Sequence, residues 1–180
     1  MVCQLYEITQ ADAPPAGVTL RPLDVDGDAV GVHALDAMSF AAAPDSQPMS
    51  LEAFREEHLG AHDLDPELSC VAGLGETTVG FLLARRWKHE AVGYVAILAV
   101  HPDEQHRGLG TVLLREAFVR FAAAGLERAQ LSVASDNPRA LRLYERVGMK
   151  PRFQFDSYER PIRIRPSDPQ PCHPSGASTR

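Results

Sequence analysis

The sequence predicts a mixed α+β domain, and three local patterns carry that prediction. An apolar run, Tyr94–Val100, passes through a glycine-containing turn into the amphipathic run Leu109–Ala124, so a buried strand, a loop and a helix follow with almost no spacer. Upstream, Leu68–Gly73 and Thr78–Trp87 are two strand-like runs turning near Gly75-Glu76, the pattern of a hairpin. Downstream, Asn137-Pro138 opens and Gly148 closes a short helix, each in the place where a cap, a proline or a glycine is favoured.

The elements follow in chain order. Residues 1–17 contain Pro14-Pro15 and Gly17 and read as an irregular lead-in. Val18–Leu23 is the first strand, and Asp26–Met38 a helix opened by acidic residues, which suit the positive end of a helix. Phe40–Ser50, with Pro44 and Pro48, is a loop, after which Ser50 caps a helix over Leu51–Leu59. Beyond the hairpin, Lys88–Ala91 turns the chain into the buried strand. In the next helix, apolar residues at 109, 112, 113, 117, 121 and 124 form one stripe, with Arg115, Glu116 and Arg120 opposite and Gly125 just past the end. Ala129–Ala134 alternates as a strand, Leu131 and Val133 on one side and Gln130 and Ser132 on the other. The domain therefore covers 18–163, and the Pro- and Ser-rich residues 164–180 form a disordered tail.

At 180 residues, with 44% hydrophobic and 23% charged side chains, the chain can bury one real core and has the composition of a soluble globular protein. No apolar run nears the ~20 residues of a membrane span. Met1-Val2-Cys3-Gln4 lacks the basic and apolar regions of a secretion signal. Three scattered cysteines (Cys3, Cys70, Cys172) show no metal-ligand spacing, so a reduced, cytoplasmic setting is expected. His58 and His62 are four apart, but Gly60 lies between them and no further ligand follows, so no metal is expected. The net charge of −6 argues against broad nucleic-acid binding and suits a cationic or neutral partner. Arg139, Arg142 and Arg146 share one helix, but Glu145 interrupts them and they read as a solvated face.

The most informative stretch is Gln105-His106-Arg107-Gly108-Leu109-Gly110-Thr111. A turn at a helix start directs several backbone N–H groups and the positive helix end toward one point, which makes an anion cradle. Glycine at 108 and 110 keeps side chains from blocking the approach of a phosphate to the backbone. Charge-assisted hydrogen bonds of ~1.5–3 kcal/mol each would hold a diphosphate without a lysine. Thr111-Val112 stands where a P-loop needs Lys-Ser or Lys-Thr, and no third glycine completes a dinucleotide fingerprint.

The loop does match Gln/Arg-x-x-Gly-x-Gly/Ala. A second block, Asn137-Pro138-x-Ala-Leu-x-Leu-Tyr144-Glu145-x-x-Gly148-Met149, matches Asn-x-x-Ala-x-x-Leu-Tyr-Glu-x-x-Gly-Phe, with Met149 in place of phenylalanine. On these blocks, and on Ile97–Pro102 ahead of the loop, the chain resembles the GNAT superfamily of N-acetyltransferases over roughly residues 18–162, most strongly over 92–149. The ending Phe155–Arg160 is similar to single domains of the mycothiol-synthase type, in which two such domains share one chain. This chain has room for one, so pairing with a second copy as a homodimer is left open.

The resemblance implies a central, mostly antiparallel twisted sheet of six to seven strands flanked by about four helices. It implies acetyl-CoA as cosubstrate, with the diphosphate on Gln105, His106, Arg107, Gly108, Leu109, Gly110 and Thr111, and the pantetheine arm along Leu98, Ala99 and Val100. It also implies that Asn137 touches the cosubstrate while capping its helix, and that the Tyr144 hydroxyl protonates the leaving thiolate. Helical periodicity by itself makes Tyr144 a core residue, on a stripe with Ala140, Leu141 and Val147. Met38, Phe40 and Met49 fall in the segment that lines the acceptor cleft in similar folds, and read equally as core. Only Lys150–Ile162 follows the last helix, so the two closing strands of the family are expected as a tight hairpin or one near-continuous strand.

The expected reaction is acetyl transfer to a primary amine of a small molecule or peptide, by direct attack in a ternary complex. An amine of pKa ~10.4 costs about 4.6 kcal/mol to deprotonate at pH 7, an α-amino group of ~7.7–8.0 only about 1–1.4 kcal/mol. Many family members carry a carboxylate base on the strand before the loop, but Tyr94–Val100 has none. Asp36, Glu52 and Glu90 are acids elsewhere that could serve, each otherwise a surface charge. That gap leaves two other readings in play: a catalytically weak acyl-CoA-binding sensor, and a protein N-terminal or lysine acetyltransferase.

Overall fold

The computed structural model describes residues 1–5, 11–41 and 48–154. Its strands are β1 (Val2–Gln4), β2 (Val18–Pro22), β3 (Cys70–Leu74), β4 (Thr77–Trp87), β5 (Val92–Val100) and β6 (Arg128–Leu131). They form one sheet in the order β1-β6-β5-β4-β3-β2, flanked by α1 (Ala29–Phe40), α2 (Leu51–Phe54), α3 (Leu109–Ala123) and α4 (Pro138–Arg146). Neighbouring strands are antiparallel except β5 and β6, which run parallel because α3 carries the chain across between them. The mixed, mostly antiparallel fold expected from the sequence is the one observed.

Helices cover both faces of the sheet, so its central strand is apolar and buried on both sides over residues 79–84 rather than alternating. Along β4, Leu82 and Ala84 face α3, packing with Val95, Leu109, Leu113, Phe118 and Phe121. Phe81 and Leu83 face the other way, onto Val32, Leu35, Phe54 and Ala99. One contact has no slack: a Cβ built on Gly93 of β5 would stand 2.3 Å from Cδ2 of the fully buried Phe121.

Four elements differ from expectation. The lead-in is not wholly irregular, since β1 pairs Val2, Cys3 and Gln4 with Gln130, Ala129 and Arg128. Its other edge exchanges two 2.8 Å backbone bonds between Val2 and Lys150, and Leu5 behind it is buried. The helix expected from Asp26 begins at Ala29, because the Asp24 carboxylate accepts the N–H groups of Asp26 and Gly27 and holds them in a turn. The helix expected over Leu51–Leu59 is α-helical for four residues, with Ser50 Oγ accepting from the Ala53 N–H. It then widens to a π-turn over Arg55–Leu59.

The strand expected over Ala129–Ala134 pairs only through Leu131, opposite Val95. At that level the β4–β5 register shifts: Leu83 faces Ile97 and Ala84 faces Val95, leaving Ala96 as an extra residue. Such a bulge bends its strand and raises local twist, so β5 swings away from β6 and residues 96–100 keep an unpaired edge. Of the expected closing segment, residues 150–154 are described and hold only the bridge of Lys150 to Val2; its remainder and the tail from 164 lie outside the described residues, as does most of the Phe40–Ser50 loop.

Candidate functional site

The unpaired edge of β5 borders a cleft of about 500 Å³. Leu98, Ala99 and Val100 line one side, the loop from Glu104 to Thr111 closes one end, α4 forms the far wall, and Ser39 and Phe40 of α1 reach the rim. Of the twelve residues expected around a cosubstrate, only Arg107 does not line it.

The loop is built by its neighbours. Gln105 Nε2 donates 3.0 Å to the Val100 carbonyl and ties the loop back to the end of β5. His106 and Gly108 both adopt the left-handed region, at φ 64° and 86°, and this double reversal feeds the chain into α3. Gly108 stands in the cap position with no side-chain oxygen to occupy the first amides. The N–H groups of Gly108, Leu109 and Gly110 have no acceptor among the described residues. Free amides at a positive helix end fit a diphosphate. The two glycines do different work. A Cβ on Gly108 would meet nothing within 4 Å, so its backbone angle requires the glycine; one on Gly110 would stand 3.2 Å from Leu143 Cδ2, so there the glycine serves packing against α4. Arg107 turns to Glu104 in an ion pair and does not line the cleft.

On α4, Asn137 Oδ1 accepts from the Ala140 N–H at 3.0 Å, the cap read from the sequence, and Asn137 also lines the cleft. Leu143 and Tyr144 pack against the α3-side core while bordering the cleft. Burial pushes the Tyr144 hydroxyl above its ordinary value, so it is a protonated donor throughout the neutral range. Arg139, Arg142 and Arg146 are exposed, as the solvated-face reading expects, and that face also borders the cleft. Their spacing of three and four puts them on one helix face, and that was the available signal.

The acids expected as alternative bases separate. Glu90 lines a second cleft, with His62 and Trp87, that shares no residue with the first. Glu52 is exposed on α2. Asp36 is half-buried, one helical turn before Ser39 and Phe40; burial pushes its carboxyl up, against the pull of His58 and His33. Phe40 borders the cleft, Met38 is exposed, and Met49 packs into the α1-side core. His58 sits edge-on to Phe54 at 4.9 Å while His62 faces the second cleft, so the two histidines do not converge. Cys70 is buried, and burial lifts its thiol to about 12, which removes it as a nucleophile. No helix among the described residues is long and apolar enough to cross a membrane.

Residues 11–149 match the family described as Acetyltransferase (GNAT) family. The chain is 32% identical over 151 residues to a mycothiol acetyltransferase of Streptomyces bingchenggensis, covering 84% of this chain and 47% of that protein. It spans about half the length of the curated relatives it matches. Among solved structures, a GCN5-related N-acetyltransferase from Sphaerobacter thermophilus is similar with a TM-score of 0.69 at 24% identity, over 83% of this chain and 46% of that one. A PaiA N-acetyltransferase from Thermoplasma acidophilum in complex with coenzyme A is similar with a TM-score of 0.60 at 20% identity, over 74% and 89%. At such identities the structural likeness speaks for the fold. The family match over residues 11–149 carries the conclusion that this chain belongs to the acetyltransferase (GNAT) family.

Proposed function

We propose that the chain is an N-acetyltransferase that moves the acetyl group of acetyl-CoA to a primary amine of a small molecule or peptide. The observation that carries this reading is the meeting, in one cleft, of free amides at the start of α3, the unpaired edge of β5 and the Tyr144 side chain. The amides of Gly108, Leu109 and Gly110 hold the diphosphate. Backbone groups of residues 98–100 pair with the pantetheine arm, and a backbone N–H there receives the thioester oxygen as charge develops on it.

The neutral amine attacks the thioester carbon directly, forming the C–N bond as the C–S bond breaks. The departing sulfur takes a proton from the Tyr144 hydroxyl, and the proton that the amine releases to water returns through solvent to the Tyr144 phenolate. Among the described residues the only carboxylate lining the cleft is Glu104, already engaged by Arg107, which favours an acceptor with a low amine pKa over a lysine-like one. An aminoglycoside acetyltransferase and a ribosomal-protein-S18-alanine N-acetyltransferase among the structural neighbours illustrate how varied acceptors are within this fold.

The same lack of a free carboxylate among the described cleft residues favours one second reading, an acyl-CoA sensor. A free-thiol assay across small amines and peptides separates the readings. Turnover with a small amine, reduced roughly 10²-fold in Tyr144→Phe, is the expected result. Faster turnover with peptides makes the protein a peptide acetyltransferase. Tight acetyl-CoA binding without turnover on any amine makes it a sensor.

A further inference from the structure

Twelve arginines lie among the described residues, and nine are engaged. Seven form ion pairs, Arg128 donates to the Glu90 carbonyl, and Arg152 lies over the Phe153 ring. The three without such a partner among the described residues are Arg139, Arg142 and Arg146, and all three line the cleft. On α4 they lie three and four apart, where like charges repel. Arg139 in addition sits in the first turn, where a cation opposes the helix dipole. The protein carries a net charge of −6, yet this exposed wall of its cleft is positive, and the one carboxylate lining the cleft among the described residues is held by Arg107. Such an arrangement is stabilised when an anion joins it.

Coenzyme A brings two anionic centres, the diphosphate and a separate phosphate monoester on the ribose. The amides of α3 account for one. We propose that Arg139, Arg142 and Arg146 form the subsite for the ribose 3′-phosphate, so that this chain discriminates CoA from its dephosphorylated form. A monoester near neutral pH carries close to two charges and three acceptor oxygens, which suits guanidinium forks on flexible stems better than a single fixed amide. The proposal rests on the acetyl-CoA reading given above.

Calorimetry with CoA and with 3′-dephospho-CoA tests it, using wild type and the triple variant Arg139→Gln, Arg142→Gln, Arg146→Gln at low ionic strength. Wild type is expected to bind CoA roughly tenfold more tightly, a difference of about 1.4 kcal/mol. The triple variant is expected to bring the two ligands within about twofold while leaving dephospho-CoA affinity near its wild-type value. Arg142→Gln alone narrows the gap in part, and it decides the matter should the triple variant misfold. Equal wild-type affinity for both ligands overturns the proposal, as does an equal loss for both in the variants, which would mark a general field or an acidic acceptor site. Binding of neither ligand to wild type overturns the coenzyme reading itself, and this subsite with it.

Discussion

At residue 108 the backbone is held at φ 86°, a conformation that costs an L-residue about 1–2 kcal/mol. Nothing crowds the position, so Gly108→Ala is expected to lower stability by only about that amount. Its larger effect falls on the ligand, because relaxing φ turns the Gly108 and Leu109 amides away from their common target. We expect CoA affinity to drop at least roughly tenfold by calorimetry, against a small shift in Tm. An unchanged affinity would place the diphosphate elsewhere. The sequence made the need for glycine plain here, but not the different reasons at 108 and 110. Packing of Gly110 on Leu143 depends on where α4 docks, and no local pattern states that. The same holds for Arg107. Its sequence position beside the glycines suggests a phosphate neighbour, and the pairing with an acid three residues earlier comes in addition.

Among the elements, β5, the loop, α3 and α4 were legible because their punctuation is local: left-handed glycines at 108, 125 and 148, and a capping Asn137. The bulge at Ala96 and the π-turn after Phe54 were not, since each answers to packing from other parts of the chain. The arginine row was visible as a spacing but not as a wall of the cleft, because a helix pattern does not say which neighbour its polar face meets. Gly93 tests the packing of α3 on β5. With Phe121 ring atoms 2.3–2.5 Å from an added Cβ, Gly93→Ala must displace a ring that has no space to enter. Overpacking of this kind costs about 1–3 kcal/mol, and denaturant melts of the variant are expected to show a lower midpoint with the slope unchanged.

For the molecule as a whole, stability against acid is tied to the pair that anchors α1 to β2. The Asp28 carboxylate is buried, which raises its pKa, but two bonds from Arg21 and one from the Asp24 N–H outweigh burial and hold it below the ordinary 3.8. A depressed folded-state value stabilises the fold above the unfolded pKa, and that contribution disappears as pH falls through the folded one. Asp28→Asn is therefore expected to melt below wild type at pH 7. The two should converge as the pH is taken well under 4. A gap that stays constant down to pH 2 would mean the pair contributes shape rather than charge.

The placement of β1 bears on how the chain assembles. Val2 finds its register partner at Gln130, so closing that contact in an otherwise unfolded chain would cost about 4 kcal/mol of loop entropy for three residues of pairing. The strand has no landing site until β6 lies beside β5 and the turn after α4 has presented Lys150. It is therefore the last stitch sewn in folding and the first to come undone.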